Sequence, residues 1–102
     1  MSVEEVVDKI YNDVISAVRS GQLKEWLRKH AVLELLEGGG DGRLFEYIAL
    51  VYPGRSAYVD FIIAERVGLR IQYSNGDVKF REFPPDISIA IIKQFARENM
   101  LH

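Results

Sequence analysis

Apolar residues recur with the period of an α-helix over the first fifth of the chain. Ser2 followed by Glu5 matches a capping box, and Gly21 suits the position after a last helical turn. We therefore predict a first helix over residues 3–20. The residues on its apolar side, at about 100° per residue, are Val3, Val6, Val7, Ile10, Tyr11, Val14, Ala17 and Val18.

A second helical pattern begins near residue 22. Residues 31–37, AVLELLE, have two interpretations. They continue this helix, or they form a short strand that turns through the following glycines into the next strand. We favour the helix because Leu, Glu and Ala outnumber β-branched residues there. The apolar stripe of the second helix is Leu23, Trp26, Leu27 and His30.

Two strands follow the glycine-rich stretch. Residues 44–52 are apolar on both faces of a strand, interrupted only by Glu46, and residues 58–65 form the next strand. A strand of the first kind is usually central and covered on both sides. Matching the apolar faces of the two strands places Leu50 opposite Asp60.

Asn75-Gly76 is the clearest local signal, because this pair is typical of a two-residue type I′ hairpin turn. It predicts strands over residues 69–74 and 77–83 and fixes their register. That register places Arg70 opposite Arg81 and Gln72 opposite Lys79. The side chains predicted on the core face are Leu69, Ile71, Tyr73, Val78 and Phe80.

After Pro84-Pro85, Asp86 caps a final helix through about residue 99, and Ile87 lies outside its apolar arc. The fold class is α+β: two N-terminal helices, a four-stranded mainly antiparallel sheet and a C-terminal helix packed on the sheet. Residues 1–102 form a single domain. The apolar arc of the last helix is Ile89, Ile91, Ile92, Phe95, Ala96 and Met100.

The charge balance narrows the function classes. The 102 residues carry a formal net charge of −2 and include no cysteine. A general nucleic-acid binder usually has a strong basic excess, so this balance argues against one. Without cysteine there is no disulfide framework and no thiolate metal site. No apolar run approaches the roughly 20 residues of a membrane span. We expect a cytoplasmic protein that does not bind membranes.

Each candidate for catalysis is weak. Glu46 and Asp60 are offset by four residues in register, about 13 Å, which is too far for a paired-carboxylate site. The glycine-rich segment 37–43 precedes a strand and lacks a lysine, unlike a phosphate-binding loop. His30 has only Glu34 near it, fewer ligands than structural zinc needs. We expect a protein that is not an enzyme and that uses no cofactor or metal.

Three segments resemble the core of Holliday-junction-resolvase-type nucleases: Asp60-Phe-Ile-Ile-Ala, Leu69-Arg-Ile-Gln-Tyr-Ser74 and Ile92-Lys-Gln-Phe-Ala-Arg97. That family places an Asp near the end of one strand and Glu-x-Lys on the next. Here Gln72-Tyr73-Ser74 stands in the Glu-x-Lys position. Too few ligands remain for metal-dependent hydrolysis, so the resemblance implies an inactive nuclease-like fold.

The candidate binding residues are Arg70, Lys79 and Arg81. In the predicted register these cations share the outer face of the hairpin. One interpretation is that the two arginines extend into water or are neutralised by Glu46, Asp60 or Glu65. The other is that the cations bind a phosphate backbone or an acidic peptide. The second face of the central strands is also apolar, which favours association.

The sequence thus predicts a small non-enzymatic interaction module that forms a homodimer and binds a protein or peptide. The alternative is a nucleic-acid-associated accessory protein that uses the basic hairpin face. A third hypothesis is an enzyme with a site near Glu46, Asp60 and the glycine-rich segment.

Overall fold

The structure is a computed structural model that describes residues 2–38 and 45–96. Within these ranges three helices and five strands follow one another. None of the described helices is long and apolar enough to cross a membrane. The elements are α1 (Val3–Arg19), α2 (Leu23–His30), β1 (Leu33–Gly38), β2 (Phe45–Pro53), β3 (Ala57–Ile63), β4 (Val67–Tyr73), β5 (Val78–Glu82) and α3 (Pro85–Phe95).

The five strands form one antiparallel sheet in the order β1-β2-β3-β4-β5. All three helices pack on the same face of this sheet, which we call the helix face. The strand residues that point into this core alternate with residues on the other face, as the period of a strand requires. The strand members of the core are Tyr47, Ala49, Val51, Ala57, Val59, Phe61, Ile63, Val67, Leu69 and Ile71.

Helix α1 begins where the sequence predicts. The Glu5 N–H donates to Ser2 Oγ and the Ser2 N–H donates to Glu5 Oε1, each at 3.2 Å, so the capping box is formed. Gly21 follows the helix with φ 72°, a conformation that favours glycine. The predicted first helix is therefore confirmed, together with the α+β class.

The favoured prediction for residues 31–37 is wrong. Helix α2 ends at His30, and the Val32 N–H donates to the Leu50 carbonyl oxygen at 2.8 Å. Leu33–Gly38 then pairs with β2, with Leu35 opposite Ile48. Pairing along a whole neighbouring strand outweighs the small helix propensity of Leu and Glu. The sheet has five strands rather than four, as the alternative interpretation predicts.

The predicted hairpin register is also wrong, by one residue. The Tyr73 N–H donates to Asp77 O at 2.8 Å, and Gly76 adopts φ 96°. Three residues therefore form the loop, which is typical of a turn that ends in a left-handed glycine. Arg70 lies opposite Phe80, and Leu69 lies opposite Arg81.

This shift moves every β5 side chain to the other face of the sheet. Val78 and Phe80, predicted in the core, lie on the face without helices, and Val78 is 59% exposed. Lys79 and Arg81 lie on the helix face instead. The predicted pairing of β2 with β3 is confirmed at Leu50, which lies opposite Asp60.

The predicted apolar arc of helix α3 is correct for Ile91 and Phe95 but not for Ile89 and Ile92. Ile87, Ile91 and Phe95 are buried, whereas Ile89 and Ile92 are 54% and 39% exposed. The expectation that Ile87 lies outside the inner arc is wrong. Met100 and the glycines at 39, 40 and 42 lie outside the described residues.

Alanine substitutions at two glycines of the β4–β5 hairpin test the observed backbone conformation and register. A Cβ on Gly68 would lie 2.4 Å from the Arg81 carbonyl oxygen, whereas a Cβ on Gly76 meets nothing within 4 Å. We expect Gly76→Ala to lower the free energy of unfolding by about 1 kcal/mol through left-handed strain alone. Gly68→Ala should cost more, because backbone atoms must move. Urea unfolding of both variants checks this order, and an equal or reversed cost would contradict the register.

Candidate functional site

The face opposite the helices is the first candidate surface, and we call it the open face. In the described part of the chain, no helix packs on it. Ile62 is buried there without belonging to the helix-face core, and Tyr58 is 53% exposed. The register assigns to the open face Leu33, Leu35, Glu37, Glu46, Ile48, Leu50, Tyr58, Asp60, Ile62, Gly68, Arg70, Gln72, Val78, Phe80 and Glu82.

A polar network occupies the middle of the open face. Asp60 Oδ2 accepts hydrogen bonds from Arg70 Nε at 3.0 Å, Arg70 Nη2 at 2.9 Å and Gln72 Nε2 at 2.8 Å. Asp60 is only 5% exposed. A buried carboxylate needs such partners, because burial without them is costly. The network is thus a satisfied polar centre within an apolar surface.

The nuclease resemblance maps onto this network. Asp60 and Gln72 do lie side by side on adjacent strands, but Gln72 donates to Asp60 where a second carboxylate would be a metal ligand. Among the described residues, no group of three or more His, Cys, Asp or Glu side chains is placed to hold a metal ion. Glu46 lies opposite Glu37 on β1 and four register positions from Asp60.

The three predicted binding cations do not share a surface. Arg70 lies on the open face, and its guanidinium is held by Asp60. Arg81 forms an ion pair with Asp8 of α1, and its guanidinium lies 3.9 Å from the centre of the Tyr11 ring. Lys79 lies 5.5 Å from the Tyr73 ring, on the same face as Arg81. The one-residue register shift separates Arg70 from the other two.

His30 has a structural environment. Its ring stacks on Trp26 at 4.3 Å, and its Nδ1 lies 2.8 Å from the Trp26 carbonyl oxygen. These contacts fix the last turn of α2.

The second candidate surface is the outer edge of β1, which the sequence analysis missed. Val32, Leu33, Leu35 and Leu36 are 59%, 67%, 52% and 46% exposed. Nothing else in residues 2–38 and 45–96 pairs with this edge, because β1 is the end strand. An exposed apolar edge strand is a template for pairing with another chain.

The other edge strand, β5, is protected by charge. Its side chains include Lys79, Arg81 and Glu82, and Glu82 is bridged to Arg66 at 3.4 Å. Charged side chains on an edge discourage pairing with a further strand. The sheet therefore has one open edge and one blocked edge.

A cavity of about 370 Å³ lies between α2, the helix face of β1 and the end of α3. Tyr47 forms part of its floor and donates to Glu34 Oε2 at 2.6 Å. Burial raises the pKa of Tyr47 above its ordinary value, and the Glu34 carboxylate raises it further. The cavity is lined by Leu23, Lys24, Leu27, Arg28, Glu34, Leu36, Tyr47, Gln94 and Phe95.

The comparisons with known proteins add one similarity. The chain is 33% identical over 91 residues to the ATP-dependent DNA helicase Hel308 of Aeropyrum pernix. The match covers 89% of this chain but only 12% of the helicase, so the chain is similar to one segment of a much longer protein. No protein-family model matches the chain, and no solved structure matches it significantly.

The polar centre of the open face gives a stability prediction. Arg70→Met leaves the Asp60 carboxylate buried beside Gln72 alone. We expect a loss of about 2 kcal/mol in the free energy of unfolding, less than for a fully buried pair because the Arg70 side chain is 35% exposed.

The double variant Asp60→Leu/Arg70→Met should regain most of that loss, since both charged partners are then removed. Urea unfolding of the single and double variants measures the difference. Equal stability of Arg70→Met and the unmodified protein would show that Arg70 does not stabilise Asp60.

Proposed function

We propose that the protein is a non-enzymatic interaction module that forms a homodimer and binds a further protein or peptide. The observation that carries this proposal is the apolar surface of β1, where Leu33 and Leu35 are 67% and 52% exposed and lie beside Leu50 and Ile48 on the open face. Isolated surface leucines are common, but a contiguous apolar patch marks an association surface. The absence of cysteine suits a reducing compartment, so we place the module in the cytoplasm.

The open face is the surface we assign to the homodimer. Two sheets pack face to face at about 10 Å through side chains that point away from each sheet. The open face supplies such side chains from β1 to β5, including Leu35, Leu50 and Val78. The Asp60–Arg70–Gln72 network does not oppose this packing, since its charges are already paired within one subunit.

Sedimentation velocity tests the dimer. Leu35→Lys/Val78→Lys places a charge at each side of the open face, at positions that are 52% and 59% exposed and so leave the core intact. We expect this variant to be monomeric, because association through the open face would bury lysine charges without partners.

The matched control is Ile89→Lys/Ile92→Lys, which makes the same chemical change on the outer side of α3. It should stay dimeric. A dimer that survives the open-face change, or dissociates only with the α3 change, would show that the open face is not the interface.

A nucleic-acid-associated accessory role is the second candidate, and the similarity to a segment of a DNA helicase favours it. Lys79 and Arg81 lie together on the hairpin and are the residues we assign to phosphate contact. Glu4 and Asp8 lie in the same shallow groove, so any such contact competes with carboxylates.

Fluorescence anisotropy with single- and double-stranded DNA tests this role. Two phosphate contacts predict a loss of roughly tenfold in affinity between about 50 and 200 mM salt. Lys79→Ala/Arg81→Ala should abolish the salt dependence. Lys29→Ala/Arg55→Ala, which removes the same charge elsewhere, should preserve it. DNA binding that is absent, or equally reduced by both variants, would remove this candidate.

A further inference from the structure

We infer that the module binds an extended peptide as a sixth strand on the edge of β1, with one apolar peptide side chain in the cavity beneath α2 and an acidic group beside Lys24 and Arg28. This edge and cavity together are called the β1–α2 groove. The inference rests on the proposed interaction function and names the partner's chemistry. It uses the edge and the helix face, which a dimer formed through the open face leaves free.

The first element of the groove is the backbone of β1. As the end strand of the sheet, it presents one row of N–H and C=O groups to whatever lies outside. A peptide that adds there gains main-chain hydrogen bonds without regard to its sequence. Edge addition alone therefore supplies affinity but little selectivity.

The cavity supplies selectivity. Alternate residues of an added strand project to the same face as Glu34 and Leu36, which border the cavity. Its floor is formed by Leu23 and Leu27, which are 2% and 5% exposed, with Phe95 at its far side. A volume of about 370 Å³ is within the range of ligand pockets and accepts a large aliphatic or aromatic side chain.

The charges of the cavity favour an acidic partner. Two cations, Lys24 and Arg28, stand against one carboxylate, Glu34, and that carboxylate already accepts from Tyr47. Arg28 also pairs with Glu25, which lies outside the cavity lining. This pair is exposed and contributes little stability, so an acidic group of the peptide can compete for the Arg28 guanidinium. An acidic residue two positions from the apolar anchor, or a C-terminal carboxylate, complements this pair.

A displayed library of random heptapeptides is the first probe. We expect the selected peptides to share one large apolar residue and an Asp, Glu or free carboxylate near it. The strongest peptide is then labelled with fluorescein and its affinity measured by anisotropy. A selection that yields no peptide, or only basic sequences, overturns the inference.

Matched variants locate the site. Lys24→Glu/Arg28→Glu should weaken the peptide at least about tenfold, because each reversal converts an attraction into a repulsion. Lys29→Glu/Arg55→Glu is the matched control, because it makes the same change in charge away from the cavity. Equal effects of the two changes would overturn the assignment of the site.

A second set of measurements distinguishes strand pairing from binding in the cavity and from dimerisation. N-methylation of alternate peptide bonds removes N–H donors and should reduce affinity at least about tenfold, because strand addition depends on main-chain hydrogen bonds. A peptide insensitive to N-methylation would overturn strand addition. Leu36→Lys should weaken the peptide and leave the dimer intact. If Leu36→Lys instead dissociates the dimer, a second copy occupies the edge and the inference fails.

The monomeric variant Leu35→Lys/Val78→Lys distinguishes the two proposals. Retained peptide binding in that variant supports the groove independently of the dimer. Loss of peptide selection with an intact dimer overturns the groove alone and leaves the interaction module standing.

Discussion

Side-chain alternation in the three central strands is the constraint on which the rest of the structure depends. Val59, Phe61 and Leu69 are fully buried on the helix face, against α1 and α3. Each stands between residues that point the other way, so the same backbone that buries the core also builds the open face. A shift of one residue in any central strand would exchange the two surfaces.

The sequence predicts elements well where local and tertiary signals agree. The Ser2 cap and the apolar stripe of α1 both describe the structure, and matching apolar faces gives the correct Leu50–Asp60 pairing. The predicted register of the hairpin is wrong because Asn75-Gly76 is compatible with both a two-residue and a three-residue loop. The longer loop places Arg81 over Tyr11, a contact with α1 that no local pattern contains.

The candidate surfaces are harder to foresee for the same reason. The sequence leaves open whether Arg70 binds an anion or pairs with one of three nearby carboxylates, and the fold pairs it with Asp60 on the adjacent strand β3. The cavity draws residues from α2, β1, β2 and α3, which lie up to 72 positions apart between Leu23 and Phe95. The exposed strand β1 has one signal in the sequence, the alternation of Leu33, Glu34 and Leu35, but helix propensity obscures it.

The difference between the two edges of the sheet limits how many further strands can pair with it. The blocked β5 edge carries Lys79 and Arg81, whereas the β1 edge is apolar and open. A sheet with two open edges can propagate from copy to copy into a fibre, because each addition creates a new free edge. In the described part of the chain, only the β1 edge of the sheet is open to a further strand. Pairing of copies through their sheet edges therefore stops at two, because each copy then has only its charged β5 edge left.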